Sequence, residues 1–121
     1  LLYGCSDPQS CPELVFDSNE KLTYLDGELY TGRCMVSNGE IKRSIQQYLN
    51  GVDHGNWIFY YENGNLEAKG NFKDGKRIGV WKYYYSSGKI RQKSRYSNNG
   101  ERKGKWTVYD SIGNIISSEK Y

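Results

Sequence analysis

From residue 57 onward, apolar and polar positions alternate in short runs that glycine interrupts at regular intervals. In "WIFYYE" (57–62), strand alternation puts Trp57, Phe59 and Tyr61 on one face and Ile58 and Tyr60 on the other. Asn63-Gly64 follows, a pair suited to a type I′ turn, and "NLEAKGNF" returns as the second strand of a hairpin. "KDGKRIG" then reads as a Gly- and charge-rich loop between hairpins. The same phrase recurs as "WKYYYSSG" (81–88) and "WTVYDSIG" (106–113).

Counting from each Trp sets the repeat. Trp57, Trp81 and Trp106 lie 24 and 25 residues apart, with Gly55, Gly79 and Gly104 two residues before them. Tyr60, Tyr84 and Tyr109 follow three residues after, and Gly64, Gly88 and Gly113 seven after. Leu66, Ile90 and Ile115 stand nine after, and Phe72, Tyr96 and Tyr121 fifteen after. A degenerate copy precedes them, in which Gly39, Ile41 and Tyr48 echo Gly64, Leu66 and Phe72 with one residue inserted and no Trp. Before that, "LTYLDGELYTG" reads as an opening hairpin with Asp26-Gly27 in its turn. The copies are not identical: Ser87-Gly88 and Ile112-Gly113 are weaker type I′ pairs, and Asp110 replaces the tyrosine found at Tyr61 and Tyr85.

A two-stranded hairpin alone is marginal in water, whereas stacked hairpins bury one another's aromatic faces. The expected fold is therefore all-β: an elongated antiparallel sheet of consecutive hairpins over residues 21–121, behind an N-terminal tail at 1–20. Aromatic side chains on both faces should make the sheet curl or twist.

Composition agrees with a repeat array. The chain has 121 residues, 36% hydrophobic, with 12 Tyr and 14 Gly; aromatics suit a pleated surface and Gly supplies positive φ. Both prolines precede residue 13, so the remainder is not a Pro-rich linker. No run of about 18 or more apolar residues occurs, the length a membrane-spanning helix needs.

With these motifs in view, "GNWIFYYENGNLEAKGNFKDGKRIGVWKYYYSSG" resembles the MORN repeat in its bacterial variant form, found in proteins described as YwqK-family antitoxin or immunity-like. "YLDGELYTG" also resembles the entry segment ahead of such repeats. The resemblance covers roughly residues 21–121 and implies a β-hairpin array used for protein or membrane-surface contacts. It implies no catalytic residue and no cofactor.

"LLYGCS" at the start resembles a bacterial lipobox, with Leu2, Tyr3, Gly4 and Cys5 in the motif positions and Ser6 after the acylated cysteine. That reading makes Cys5 the lipidation site and the protein an envelope lipoprotein; the competing reading is a plain N-terminal loop with a free thiol, and a cytoplasmic protein. Cys11 and Cys34 remain as a pair, either bridged in an oxidising envelope or left as two free thiols.

Catalytic constellations are missing from the sequence. His54 is the only His; it sits in the loop "NGVDHGNW" beside Asp53, where such residues are ordinarily solvated. There is no GxSxG, no phosphate-binding glycine motif and no CxxC, so neither a nucleophile nor a metal site is expected. Glu62 and Glu67 flank a hairpin turn, with nothing to place them in a pocket. The chain therefore reads as a non-enzyme.

Charge distribution is the feature that points to function. Residues 1–40 carry two basic and seven acidic groups, whereas residues 73–105 carry eleven basic groups against Asp74 and Glu101. In "KIRQKSRY", Lys89, Arg91, Lys93 and Arg95 fall at every second position, which on a regular strand projects all four from one face. Lys82, Arg102, Lys103 and Lys105 lie nearby in sequence. Such a stripe either keeps a β-edge solvated or docks an acidic surface of another protein. Membrane tethering through Cys5 is compatible with both. Nucleic acid is a poorer fit, because the N-terminal part is acidic, the net charge is only +3 and no RNP-like pattern occurs.

Overall fold

A computed structural model describes residues 7–121; the lipobox residues and Cys5 lie outside the described part. The strands are β1 (Val15–Asp17), β2 (Leu22–Leu25), β3 (Glu28–Leu29), β4 (Gly32–Asn38), β5 (Ile41–Leu49) and β6 (Val52–Asp53). They continue as β7 (Gly55–Tyr60), β8 (Leu66–Lys73), β9 (Lys76–Tyr84), β10 (Ile90–Tyr96), β11 (Lys105–Tyr109) and β12 (Ile115–Lys120). The architecture is all-β and antiparallel, built from hairpins in chain order. A nine-stranded sheet runs β4-β5-β7-β8-β9-β10-β11-β12 with β6 also on β5, and β1-β2-β3 form a small second sheet. The opening hairpin forms as expected, with Asp26 and Gly27 at φ 51° and 82° between β2 and β3.

The hairpin tips differ from the type I′ expectation. Gly64, Gly88 and Gly113 have φ of 90°, 97° and 101°, but Asn63, Ser87 and Ile112 before them are not left-handed. Gly64 N–H donates to the Tyr61 carbonyl at 3.0 Å, and Tyr61 N–H to the Asn65 carbonyl at 2.8 Å. This is a three-residue loop in which a type I turn ends on one left-handed Gly. Only the Gly needs positive φ, so Ser87 and even Ile112 are tolerated before it.

The connection "KDGKRIG" is not a loop. Asp74 and Gly75, at φ 51° and 78°, form a two-residue type I′ turn, and β8 and β9 pair right up to it, Lys73 opposite Lys76. Asn50 and Gly51 do the same between β5 and β6. The glycine two residues before each Trp marks a bulge. Gly79 has φ 66°, and between Lys69↔Lys82 and Asn71↔Ile78 two steps along β8 match four along β9.

The core is a ladder of edge-to-face aromatic rings along one side of the sheet. Ring centroids lie 5.7 Å apart for Tyr30–Tyr48, 5.4 Å for Tyr48–Trp57, 5.2 Å for Trp57–Phe72 and 5.0 Å for Phe72–Trp81. Beyond a gap, Tyr96–Trp106 and Trp106–Tyr121 continue at 5.1 and 5.3 Å. Each indole N–H is satisfied by a carbonyl of the preceding unit: Trp57 by Gln47, Trp81 by Asn71, Trp106 by Arg95. Gly70 is required beneath this ladder, because a Cβ there would sit 2.1 Å from the Trp81 ring.

Successive units are also tied at their tips. The Tyr61 hydroxyl donates to the Tyr84 carbonyl and the Tyr85 hydroxyl to the Tyr109 carbonyl, both at 2.6 Å. Asp110, at the matching position of the last copy, instead accepts the N–H groups of Ile112 and Asn114 and closes its own turn. Tyr85→Phe should lower stability by about 1 kcal/mol, the net worth of one hydrogen bond, read as a shift in the urea midpoint at unchanged slope.

The described N-terminal residues pair with the sheet. Cys11 N–H donates to the Met35 carbonyl at 2.8 Å and Met35 N–H to the Gln9 carbonyl at 2.9 Å, which covers the outer edge of β4. A disulfide joins Cys11 to Cys34 across 23 residues. The expected boundary at residue 20 falls between β1 and β2, which pair with each other.

Candidate functional site

Strand register decides where the basic residues go. On the face opposite the aromatic ladder, one cross-strand row passes through Ile45, Ile58, Lys69, Lys82, Lys93 and Thr107. Lys69 pairs directly with Lys82, and Lys82 with Lys93. The neighbouring row on the same face holds Asn56 opposite Asn71, Val80 opposite Arg95, and Lys105 opposite Lys120. Asn56, Lys69, Asn71, Lys82, Lys93 and Arg95 line an open groove of about 540 Å³. Neither row contains a carboxylate. Among the described residues the ion pairs are Lys42–Asp7 at 3.1 Å and Arg43–Glu62 at 3.8 Å, and neither reaches the groove.

Like charges directly opposite on neighbouring strands are destabilising by a few tenths of a kcal/mol to about 1 kcal/mol per pair. Two such pairs in succession are a local violation of the pairing rule.

The stripe read from "KIRQKSRY" is broken in the structure. Between Ile90↔Tyr84 and Gln92↔Tyr83 the register shifts, which leaves Arg91 as the extra residue of a bulge. Its guanidinium lies 5.8 Å over the Tyr83 ring, on the aromatic face, while Lys93 and Arg95 stay on the other. Lys89 falls in the exposed hairpin tip, its carbonyl accepting Tyr85 N–H. Arg102 sits over Trp106 at 5.0 Å and Tyr121 at 5.2 Å, again with the aromatics. Exposed Lys103 donates its backbone N–H to the Arg95 carbonyl, and Lys105 shares the face of Lys93. Lys69 was not singled out from the sequence, yet it completes the row. The signal was present: Lys69 stands twelve residues after Trp57, as Lys93 does after Trp81.

His54 donates its backbone N–H to the Gln47 carbonyl and lines a shallow depression with Asp53 and Asp74. Glu62 is exposed and pairs loosely with Arg43. Among the described residues no group of three His, Cys, Asp or Glu side chains could hold a metal, and no helix is long and apolar enough to cross a membrane.

A second concavity, of about 510 Å³, lies where the N-terminal segment crosses the sheet; Leu14, Phe16, Met35, Tyr48 and Asp53 are among its lining. Burial raises the pKa of the Asp53 carboxyl above the usual value. Burial, helped by the Asp53 charge, also pushes the Tyr48 hydroxyl up to about 12. Because the folded-state pKa of Asp53 is raised, its favourable contribution is complete below the unfolded value and is lost as pH rises through the folded one. Asp53→Asn should therefore raise the melting temperature at pH 7, and the gain should disappear near pH 3; a constant difference across a pH series would refute this.

A stack of hairpins with an uncompensated cationic face and a self-satisfied aromatic core defines a β-hairpin repeat protein. Two adjacent units are similar to a known repeat: the family described as "MORN repeat variant" matches residues 53–74 and 77–98. No curated protein matches the chain. Among solved structures, one described as "Crystal structure of GtfA/B complex bound to UDP and GlcNAc" overlays on 98% of this chain at 15% identity and TM-score 0.40. This chain corresponds to 29% of the length of that one.

Proposed function

We propose that the chain is a non-catalytic binding module, of antitoxin or immunity type, that neutralises a partner protein by covering an acidic surface with its lysine face. The observation that carries this reading is the directly opposed trio Lys69, Lys82 and Lys93 with no carboxylate in its row or the next. Cations that repel one another gain when an anionic surface replaces water, and such complementarity speeds association and selects partners. The test is coexpression with the product of any toxin gene encoded beside it. Growth rescue by the intact chain, lost with Lys69→Glu/Lys82→Glu/Lys93→Glu, is the expected result. Absence of both rescue and complex with every neighbouring product would overturn it.

A second reading is favoured by the Cys11–Cys34 disulfide, which suits an oxidising compartment. In it the chain is an envelope lipoprotein tethered through Cys5, whose repeats bind lipid, glycan or another envelope protein. Mass analysis of the full-length protein decides: diacylglycerol on Cys5 supports the tether, and an unmodified N-terminus removes it.

A further inference from the structure

The lysine row has a direction and a spacing, and both constrain what docks on it. Lys69, Lys82 and Lys93 stand on three adjacent strands, β8, β9 and β10, so the row runs across the strands. Neighbouring strands are about 4.8 Å apart, which makes the row about 9.6 Å long. An extended acidic segment fits this poorly, because alternate side chains of a strand repeat every ~6.7 Å and three of them span about 13 Å. On an α-helix, carboxylates at i, i+4 and i+7 share one face and span about 10.5 Å at 1.5 Å per residue. That is within the reach of three flexible lysine side chains.

The surroundings of the row suit a cylinder as well. Two residues along the strands on one side lie Asn71, Val80 and Arg95, which line the same groove. On the other side, Tyr84, two residues along from Lys82, pairs with Ile90, three residues before Lys93 across the Arg91 bulge, and both are half-buried. These flanks are about 6.7 Å from the row, underneath the sides of a helix about 10–12 Å across. The groove thus offers a cationic row bordered by Asn71, Val80 and Arg95, and beyond its other side lies a tyrosine, a residue type common at binding hot spots.

We infer that the lysine face receives an acidic α-helix of the partner protein, laid across β8, β9 and β10 with its carboxylates repeating every three to four residues. This rests on the reading of the chain as a module for an acidic partner and adds the secondary structure and orientation of what it grips.

The experiment uses the full chain, isotope-labelled for NMR, and two synthetic Ala-based helical peptides of one composition. One carries its glutamates along a single face at i, i+4, i+7 and i+11; the other disperses them around the helix. A single-stranded oligo-dT and phosphatidylglycerol vesicles complete the probes. The striped peptide should move the resonances of Lys69, Lys82 and Lys93 and bind about tenfold more tightly than the dispersed one, weakening as salt is added. Lys82→Glu should abolish the difference and Lys82→Gln should reduce it, with the melting temperature of each variant checking that the sheet is intact. Equal binding of both peptides at the lysine row would overturn the helix while leaving an acidic partner standing. Tighter binding of oligo-dT or vesicles at those residues would overturn it in favour of that ligand. If neither peptide perturbs any resonance, both the helix and the acidic-partner reading fall.

Discussion

Trp81→Ala is expected to cost about 3–5 kcal/mol, the range for truncating a large buried aromatic. Trp81 is 1% exposed, the most enclosed large side chain among the described residues. Phe72 packs edge-on to it at 5.0 Å, Tyr83 stacks at 6.3 Å, and the Arg77 guanidinium lies 5.3 Å over the ring. On the neighbouring strand β8, Gly70 leaves room for the indole that no side chain could share. The strands on either side of Trp81 are held by their own pairings, so most of the vacated volume should persist. Typical domain stabilities are about 5–15 kcal/mol, so the loss would leave a marginal fold. Trp106, half-buried near the far end of the ladder, should cost clearly less when truncated. Urea unfolding of the two variants side by side is the check, and equal costs would contradict a core centred on Trp81.

The contrast between these tryptophans shows what the sequence made legible. All three occupy the same offset in the repeat, so their shared role as strand residues of stacked hairpins could be read from spacing alone. Their unequal burial could not, because it depends on the neighbours each receives from other units. The same limit applied to backbone detail. Glycine at each tip announced a turn, but which turn depends on whether the preceding residue is also left-handed, and Ile112 shows that it is not. Gly79 looked like part of a loop, whereas its positive φ makes a bulge inside a continuous strand pair. Bulges also explain why the basic stripe is interrupted. Simple alternation holds only while the register is unbroken, and Arg91 is the residue at which it breaks. Conversely, Lys69 joins the site through pairing between strands, visible only when the copies are aligned against one another as well as read in order.

Reducing the Cys11–Cys34 bond should cost about 3 kcal/mol, from the chain entropy released by opening a loop of this length. For a chain of this size that corresponds to roughly 10 °C in melting temperature. The loss should be local in its first consequences. The bond ties down the segment that covers the edge of β4 through Cys11 N–H and Gln9 O, and Leu14 packs on the core from the same segment. Opening it exposes an unpaired edge and part of Tyr48, but touches none of the pairings from β8 to β12. Hydrogen exchange in reductant should therefore accelerate at Cys11 and Met35 well before it does at the amides around Trp81. Cys11→Ser/Cys34→Ser should melt at the reduced protein's temperature and ignore reductant, which separates loss of the bond from any other effect of the reagent. Uniform acceleration along the sheet would mean that the array unfolds as one unit and that the strap and the repeats are not separable. Local loosening, by contrast, would leave the lysine groove intact in the reduced protein, so partner binding through Lys69, Lys82 and Lys93 should survive reduction even as the edge of β4 opens.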